Sequence, residues 1–422
     1  MKSKAKKLEG TLKQFDVEMP KNAVDEVYKE VLADIQKTAA LPGFRKGKVP
    51  LDMVQKKYAE DVDIELKRRL IPQAYQAALK EHEVTPVGYP EVWDVNVSEK
   101  GLAFKAKVDA YPRVDLGGYT ALKVNISKIS VTDKEVDEVI ERFRNMQANF
   151  TDIEESLKKG DFAVAKVETF SDGKAISKER ENMWIEVSKE ASLLGMGEKL
   201  EGLKKGDKKE IKVTLPEKYP DEKYAGKEAL FKVEIKETKR KHLPELNDEF
   251  AAKIGSATML DAREEVKKQL LERKEADLKT AMKNQIMEHL LKKHKFDLPL
   301  SMVRRQLKVL MERAEEELKS KGVDEKVIEE HKEKLSKSLK TEAENKVKLY
   351  FILDKIAGIE KINVSIEDVD VWIKGLAGSY QKPFEEVKKY YEEHDLIGGL
   401  REQLREEKTL DFLLEKAETV SK

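Results

Sequence analysis

The chain has 422 residues, too many for one ordinary hydrophobic core, so about two to four domains are expected. It carries 82 Lys and Arg against 82 Asp and Glu, so no net charge steers it toward nucleic acid or membrane, and any attraction to a polyanion must be local. Cysteine is absent, which excludes a disulfide framework, a thiol nucleophile and thiolate metal sites, and no apolar run approaches the ~18 residues of a membrane span.

The start, Met1 to Lys7, is basic but leads into Leu8-Glu9-Gly10-Thr11 rather than an apolar signal core, so a cytosolic protein is expected. Thr11 to Met19 alternates loosely as a strand and ends at Pro20. From Ala23 to Ile35 the apolar positions Val24, Val27, Tyr28, Val31, Leu32 and Ile35 recur at helical spacing. Pro50 opens a short helix to Tyr58, and Asp61 to His82 forms a longer one. Strands follow around Glu91–Val97 and Leu102–Tyr111, and Pro112 closes a first unit of residues 1–113.

Residues 114–149 read as a connector, with a strand at Leu122–Ile129 and then a helix. Thr132 is its expected N-cap, and Glu135 three residues on completes a capping box. From Gly160 to about Lys239 short β-rich runs alternate with Gly-containing turns, which defines a small β domain of about eighty residues. Gly195-Met196-Gly197 is no dinucleotide fingerprint, because Leu200 stands where the third glycine belongs. Past Leu243-Pro244-Glu245-Leu246 the chain is helical: Thr258–Lys295, Pro299–Lys321, Asp324–Ile356, Ser365–Leu376, Pro383–His394 and Gly399–Val420. The fold class expected is α+β multidomain: an N-terminal α/β domain, an inserted β domain and an extended all-α C-terminal body.

Little of this supports covalent or metal chemistry. His289 and His294 lie five apart without an HExxH pattern, in a Lys-rich helix end, and read as solvated surface. No GxSxG elbow occurs, and no cofactor or metal site is expected. Met259, Met282, Met287, Met302 and Met311 lie among Leu, Ile and Val on the long helices. Methionine adapts to many apolar shapes, so this part suits a surface that holds apolar segments.

The most informative segment is Leu41-Pro42-Gly43-Phe44-Arg45-Lys46-Gly47-Lys48-Val49-Pro50. It places an aromatic and three cations between two glycines and two prolines, and no acid occurs from Ile35 to Leu51. A phenylalanine so flanked is poorly suited to a core, and the segment is built to press against something anionic and partly apolar. It is not a phosphate-cradling P-loop: three residues rather than four separate Gly43 from Gly47, and Val49 follows Lys48 where Ser or Thr is needed. Without that cradle, action independent of ATP is expected.

The segment from Gly43 to Pro50 matches the ribosome-binding signature of trigger factor, the ribosome-associated bacterial chaperone family, which the chain resembles along its whole length. Leu243-Pro244-Glu245-Leu246…Glu249-Phe250 and Ala377-Gly378-Ser379-Tyr380…Pro383…Tyr390-Tyr391 resemble later motifs of that family. The resemblance implies docking beside the peptide exit tunnel, with Gly43, Phe44, Arg45, Lys46, Gly47 and Lys48 meeting ribosomal protein and rRNA. It also implies an FKBP-like peptidyl-prolyl isomerase domain at 150–241, and a chaperone body of 114–149 with 242–422 that shields apolar segments of nascent chains. It implies neither DNA nor membrane as a partner, and it allows a homodimer off the ribosome.

In the β domain, Lys212–Tyr219 and Ala225-Gly226-Lys227…Phe231 match the family, so Tyr219 and Phe231 carry over as pocket residues. Leu193 and Met196 stand where the family usually has Ile and Phe, and its Asp-Phe-Thr-Gly stretch is not recognisable after Val167-Glu168-Thr169-Phe170. The fold is expected to be kept, while the pocket leaves the strength of the activity open. An alternative reading is an isomerase with helical substrate-binding appendages. A coiled-coil scaffold fits less well, because the helical stripes hold no strict 3.5-residue repeat.

Overall fold

The computed structural model describes every residue except 99, 121, 172, 177–178, 189–195, 217–222 and 422. The chain forms two compact units, Met1–Ser127 with Leu278–Lys422, and Lys128–Asp277.

In the first unit, β1 (Lys2–Lys7), β2 (Leu12–Pro20), β3 (Pro86–Ser98) and β4 (Gly101–Ala110) form an antiparallel sheet in the order β1-β2-β4-β3. Strand β4 alternates from Leu102 to Val108: Leu102, Phe104, Ala106 and Val108 are buried, with Lys105 and Lys107 on the opposite face. Onto the buried face pack α1 (Lys21–Thr38), α2 (Leu51–Lys57) and α3 (Ala59–Glu81), whose Val31, Val54, Leu66, Leu70 and Ala74 join Phe15 and Val17 in one core. The basic start is thus a strand rather than a tail. Its sequence, KSKAKK, has no apolar alternation, so only the free edge of β2 selects it, and its lysines discourage further pairing there.

The same unit holds the helical part. It comprises α6 (Met259–Lys293) from Leu278 onward, α7 (Leu300–Ser320), α8 (Glu325–Ile359), α9 (Ile366–Ser379), α10 (Phe384–Glu393) and α11 (Ile397–Lys416). The expectation of one helix to Val420 is corrected by the structure. Helix α11 stops at Lys416, and β12 (Glu418–Ser421) pairs in parallel with β5 (Lys123–Ile126). Ala417 is already extended, and the backbone N–H of Glu418 donates to the Leu122 carbonyl. Thr419 and Val420 are β-branched and gain a ladder there that a frayed helix end would lack. His294 is also corrected: it is buried, with Nδ1 2.9 Å from the Leu290 carbonyl oxygen, because a ring just past a helix end can fold back over the last turn and satisfy one of its open carbonyls.

The second unit contains α4 (Asp133–Met146), β6 (Asn149–Asp152), β7 (Phe162–Ser171), β8 (Lys174–Ala175), β9 (Arg180–Glu186), β10 (Lys208–Thr214), β11 (Glu228–His242), α5 (Asp248–Lys253) and α6 up to Asp277. The capping box of α4 forms: the Glu135 N–H donates to Thr132 Oγ1 at 3.4 Å, and the Thr132 N–H donates to the Glu135 carboxylate at 2.9 Å. Val136 and Ile140 of this helix pack on Phe250, Ala251, Ala262 and Val266. The sheet runs β10-β11-β7-β8, with β6 beside the far end of β11 and β9 beside β7.

Candidate functional site

The chain leaves α1 at Ala39, whose side chain is buried, and re-enters the core at Val49, which is fully buried just before α2. Between these anchors only Leu41 and Gly47 are partly covered, and the rest of the loop is exposed, Phe44 to 40%. Gly43 and Gly47 adopt φ of +89° and +78°. Glycine reaches this left-handed region at little cost and other residues do so with strain. Two tight turns result, closed by the Phe44 N–H on the Leu41 carbonyl (3.0 Å) and the Lys48 N–H on the Arg45 carbonyl (2.9 Å).

The base of the loop is braced. The Gly47 N–H donates to the Ala39 carbonyl at 3.2 Å, and Gln36 Nε2 donates to the Val49 carbonyl at 2.7 Å. The Tyr58 hydroxyl donates to the Ala40 carbonyl (3.1 Å) and accepts from the Ala40 N–H (3.2 Å). Among the described residues, no carboxylate pairs with Arg45, Lys46 or Lys48, so their charge faces outward uncompensated. The lysine just before the loop, Lys37, is by contrast tied to Asp34 at 2.8 Å. A rigid loop carrying an exposed ring among free cations can stack and bind phosphate at the same time.

The β domain places its expected residues differently. Phe231 on β11 and Met196 lie in one core with Val167, Ile185, Ile211 and Leu215, and both are buried. Leu193 and Tyr219 lie outside the described residues. Exposed Phe150 and Trp184 here join half-buried Phe162 in mutual contact at 5.0–6.1 Å between ring centroids. Sequence reasoning passed over them, since they come from three strands whose pairing places them together.

The helical methionines are likewise not free. Met259, Met282, Met287, Met302 and Met311 are all half-buried, and Met259, Met282 and Met302 pack against core clusters. Apolar side chains left exposed on these helices or at their caps include Leu260, Ile359, Ile366, Val371, Tyr380 and Tyr390. Among the described residues there is no helix long and apolar enough to cross a membrane, and no cluster of His, Asp and Glu suited to a metal ion.

Comparison with known proteins places these features together. Residues 1–143 match the pattern described as "Bacterial trigger factor protein (TF)", residues 258–415 match its C-terminus, and residues 154–236 match "FKBP-type peptidyl-prolyl cis-trans isomerase". The trigger factor of Halalkalibacterium halodurans is 33% identical over 439 residues, covering all of both chains. The chain belongs to the trigger factor family. The Bacillus subtilis trigger factor is 34% identical over 418 residues, covering 95% of this chain and 96% of its own. A solved chain, from a study of promiscuous substrate recognition in the folding and assembly activities of the trigger factor chaperone, covers 98% of this chain at 22% identity with a TM-score of 0.51. At that identity it speaks for the fold alone. The protein is thus a chaperone of this family, with a ribosome-binding N-terminal domain, an FKBP-type domain and a helical C-terminal region.

Proposed function

We propose that the protein docks at the ribosomal exit tunnel through the loop from Gly43 to Lys48 and holds apolar segments of emerging chains without ATP. One observation carries this reading: Phe44 stands exposed beside Arg45, Lys46 and Lys48, none of them paired with a carboxylate among the described residues, on a loop whose two ends are buried in the core. Phe44 would pack on ribosomal protein and the cations on rRNA phosphate. The functional parts are read as 1–113 for docking, 114–149 with 242–422 for holding, and 150–241 for isomerisation, in the cytoplasm. Exposed Ile366 and Val371 on α9, Tyr380 at its C-cap and Tyr390 on α10 supply apolar holding surface.

The test is co-sedimentation of the protein with ribosomes at several salt concentrations. Replacing Phe44, Arg45 and Lys46 together by Ala should abolish it and leave the fold intact. Unchanged binding in that variant would sink the role of the loop.

A second reading concerns the FKBP-type domain. An isomerase desolvates the X-Pro amide in an apolar pocket and favours its twisted state over the planar ones. We assign Phe231 and Met196 to the apolar wall of such a pocket, and Tyr219 and Leu193 to the rest of it. Both described residues are deeply packed, which supports a wall held rigidly from behind. A proline-limited refolding assay measures the activity directly.

A further inference from the structure

Resting on the docking reading above, we propose that Tyr58 and Gln36 are positioning residues for ribosome docking, acting through the loop and not by contact. A flexible loop loses conformational freedom when it binds, on the order of 1 kcal/mol per residue fixed. A loop already held in its bound shape loses less and binds more tightly. In this chain the glycines that permit the turns would also let the loop wander, so the order must come from outside it.

Two uncharged side chains supply that order, one for each arm. On the incoming arm the Tyr58 hydroxyl holds Ala40 by both its N–H and its carbonyl, a two-point clamp that fixes the orientation of this peptide unit. On the outgoing arm Gln36 Nε2 holds the Val49 carbonyl at 2.7 Å. Both come from helical context that the core already immobilises. Gln36 lies in the last turns of α1, and Tyr58 caps α2, with its ring packed on the domain core. The clamps attach to Ala40 and Val49, at the base, and leave the tip at Phe44, Arg45 and Lys46 free to meet a surface. The Gly47 N–H on the Ala39 carbonyl then ties the arms to each other.

The variants are Tyr58→Phe, which keeps the ring and removes only the hydroxyl, and Gln36→Leu, which keeps the bulk and removes the donor. In the intact chain each should weaken co-sedimentation with ribosomes about 3- to 10-fold, or about 0.6–1.4 kcal/mol, with Tyr58→Phe, which loses two hydrogen bonds, at the upper end. Amide hydrogen exchange across residues 39–50 should speed up in both, while the slope of log affinity against log salt stays at the wild-type value, because no phosphate contact is lost. Weaker binding by Tyr58→Phe with wild-type amide exchange across residues 39–50 would make Tyr58 a direct contact and overturn the inference. So would wild-type affinity in both variants while the Phe44, Arg45 and Lys46 triple-Ala protein fails to bind, an outcome that leaves the docking reading standing. Should the triple-Ala protein also bind normally, both ideas fall. Tyr58→Phe and Gln36→Leu are scored separately, so poor folding of one leaves the other as the test.

Discussion

The Tyr111 hydroxyl donates to the Asp354 carboxylate, joining residues 243 positions apart. The ring meets Phe351 edge-on at 4.9 Å between centroids, and Arg405 Nη1 donates to the other Asp354 oxygen at 2.5 Å. One carboxylate on α8 thus ties the end of the N-terminal sheet to α11. Burial, and then the hydrogen bond to Asp354, raise the Tyr111 pKa. The phenol keeps its proton in the fold, so its contribution is complete below pH ~10 and fades above it.

Replacing Asp354 by Ala strands the Tyr111 hydroxyl and leaves the Arg405 guanidinium without its carboxylate, held only by backbone carbonyls. A loss of about 1–3 kcal/mol is expected in denaturant unfolding. Tyr111→Phe removes a single bond and should cost about 1 kcal/mol. If Asp354→Ala were no worse than Tyr111→Phe, the carboxylate would not be the shared partner.

Asp109 has a comparable role in capping. Helix α7 begins after Pro299, whose side chain cannot cap it, and the buried Asp109 on β4 accepts the Ser301 N–H at 2.9 Å and the Thr11 hydroxyl at 2.9 Å. Asp109→Ala should lose about 1–2 kcal/mol, as an N-cap deletion does, and Asp109→Asn less, because one oxygen acceptor remains. Chemical denaturation of the three proteins side by side tests that ranking.

Two helix starts should respond to acid. Lys274 and the Thr132 backbone hold Glu135 down to about 2, and Lys408 and the Ser365 backbone hold Asp368 at about 2 as well. Their folded-state pKa values lie below the ordinary carboxylate range, so the stabilisation is present above pH ~4.5 and is lost as pH falls toward 2. Circular dichroism should show the wild type losing helix in that window. Glu135→Gln with Asp368→Asn should flatten the acid limb; an unaltered limb would place the acid sensitivity elsewhere.

Gly101 closes the β3–β4 turn at φ +122°, where an added Cβ would stand 2.0 Å from the Met19 carbonyl oxygen. The obstacle is backbone and cannot swing away. Gly101→Ala should destabilise the first unit by several kcal/mol, on the order of 3, with Gly43→Ala far milder because open space surrounds that position. Thermal unfolding of the pair separates steric conflict from φ strain alone.

Phe231 is 4% exposed in the core of the FKBP-type domain, so Phe231→Ala should cost about 3–5 kcal/mol there. A loss of isomerase activity in that variant would therefore report unfolding as much as chemistry. Phe231→Leu, compared in refolding assays at matched stability, separates the two. Equal activity in Leu and wild type would remove the ring from the pocket's chemistry.

Much of this protein was legible in its residues one stretch at a time. The capping box at Thr132 and Glu135, the alternation of Leu102, Phe104, Ala106 and Val108, and the Gly43–Pro50 signature are local patterns, and hydrophobic period and turn chemistry act locally. Tertiary structure alone decided what has no local signal. Lys2 to Lys7 became a strand because β2 offered an edge, and Glu418 to Ser421 left the helical pattern because β5 offered another. Met259, Met282 and Met302 were half-buried against core residues distant in sequence. The loop is the sharpest case. Its exposed ring and free cations could be read directly, but the clamps from Gln36 and Tyr58 could not. A hydrogen bond between groups 13 or 18 residues apart depends on where the core sets two helices, and no spacing rule encodes that.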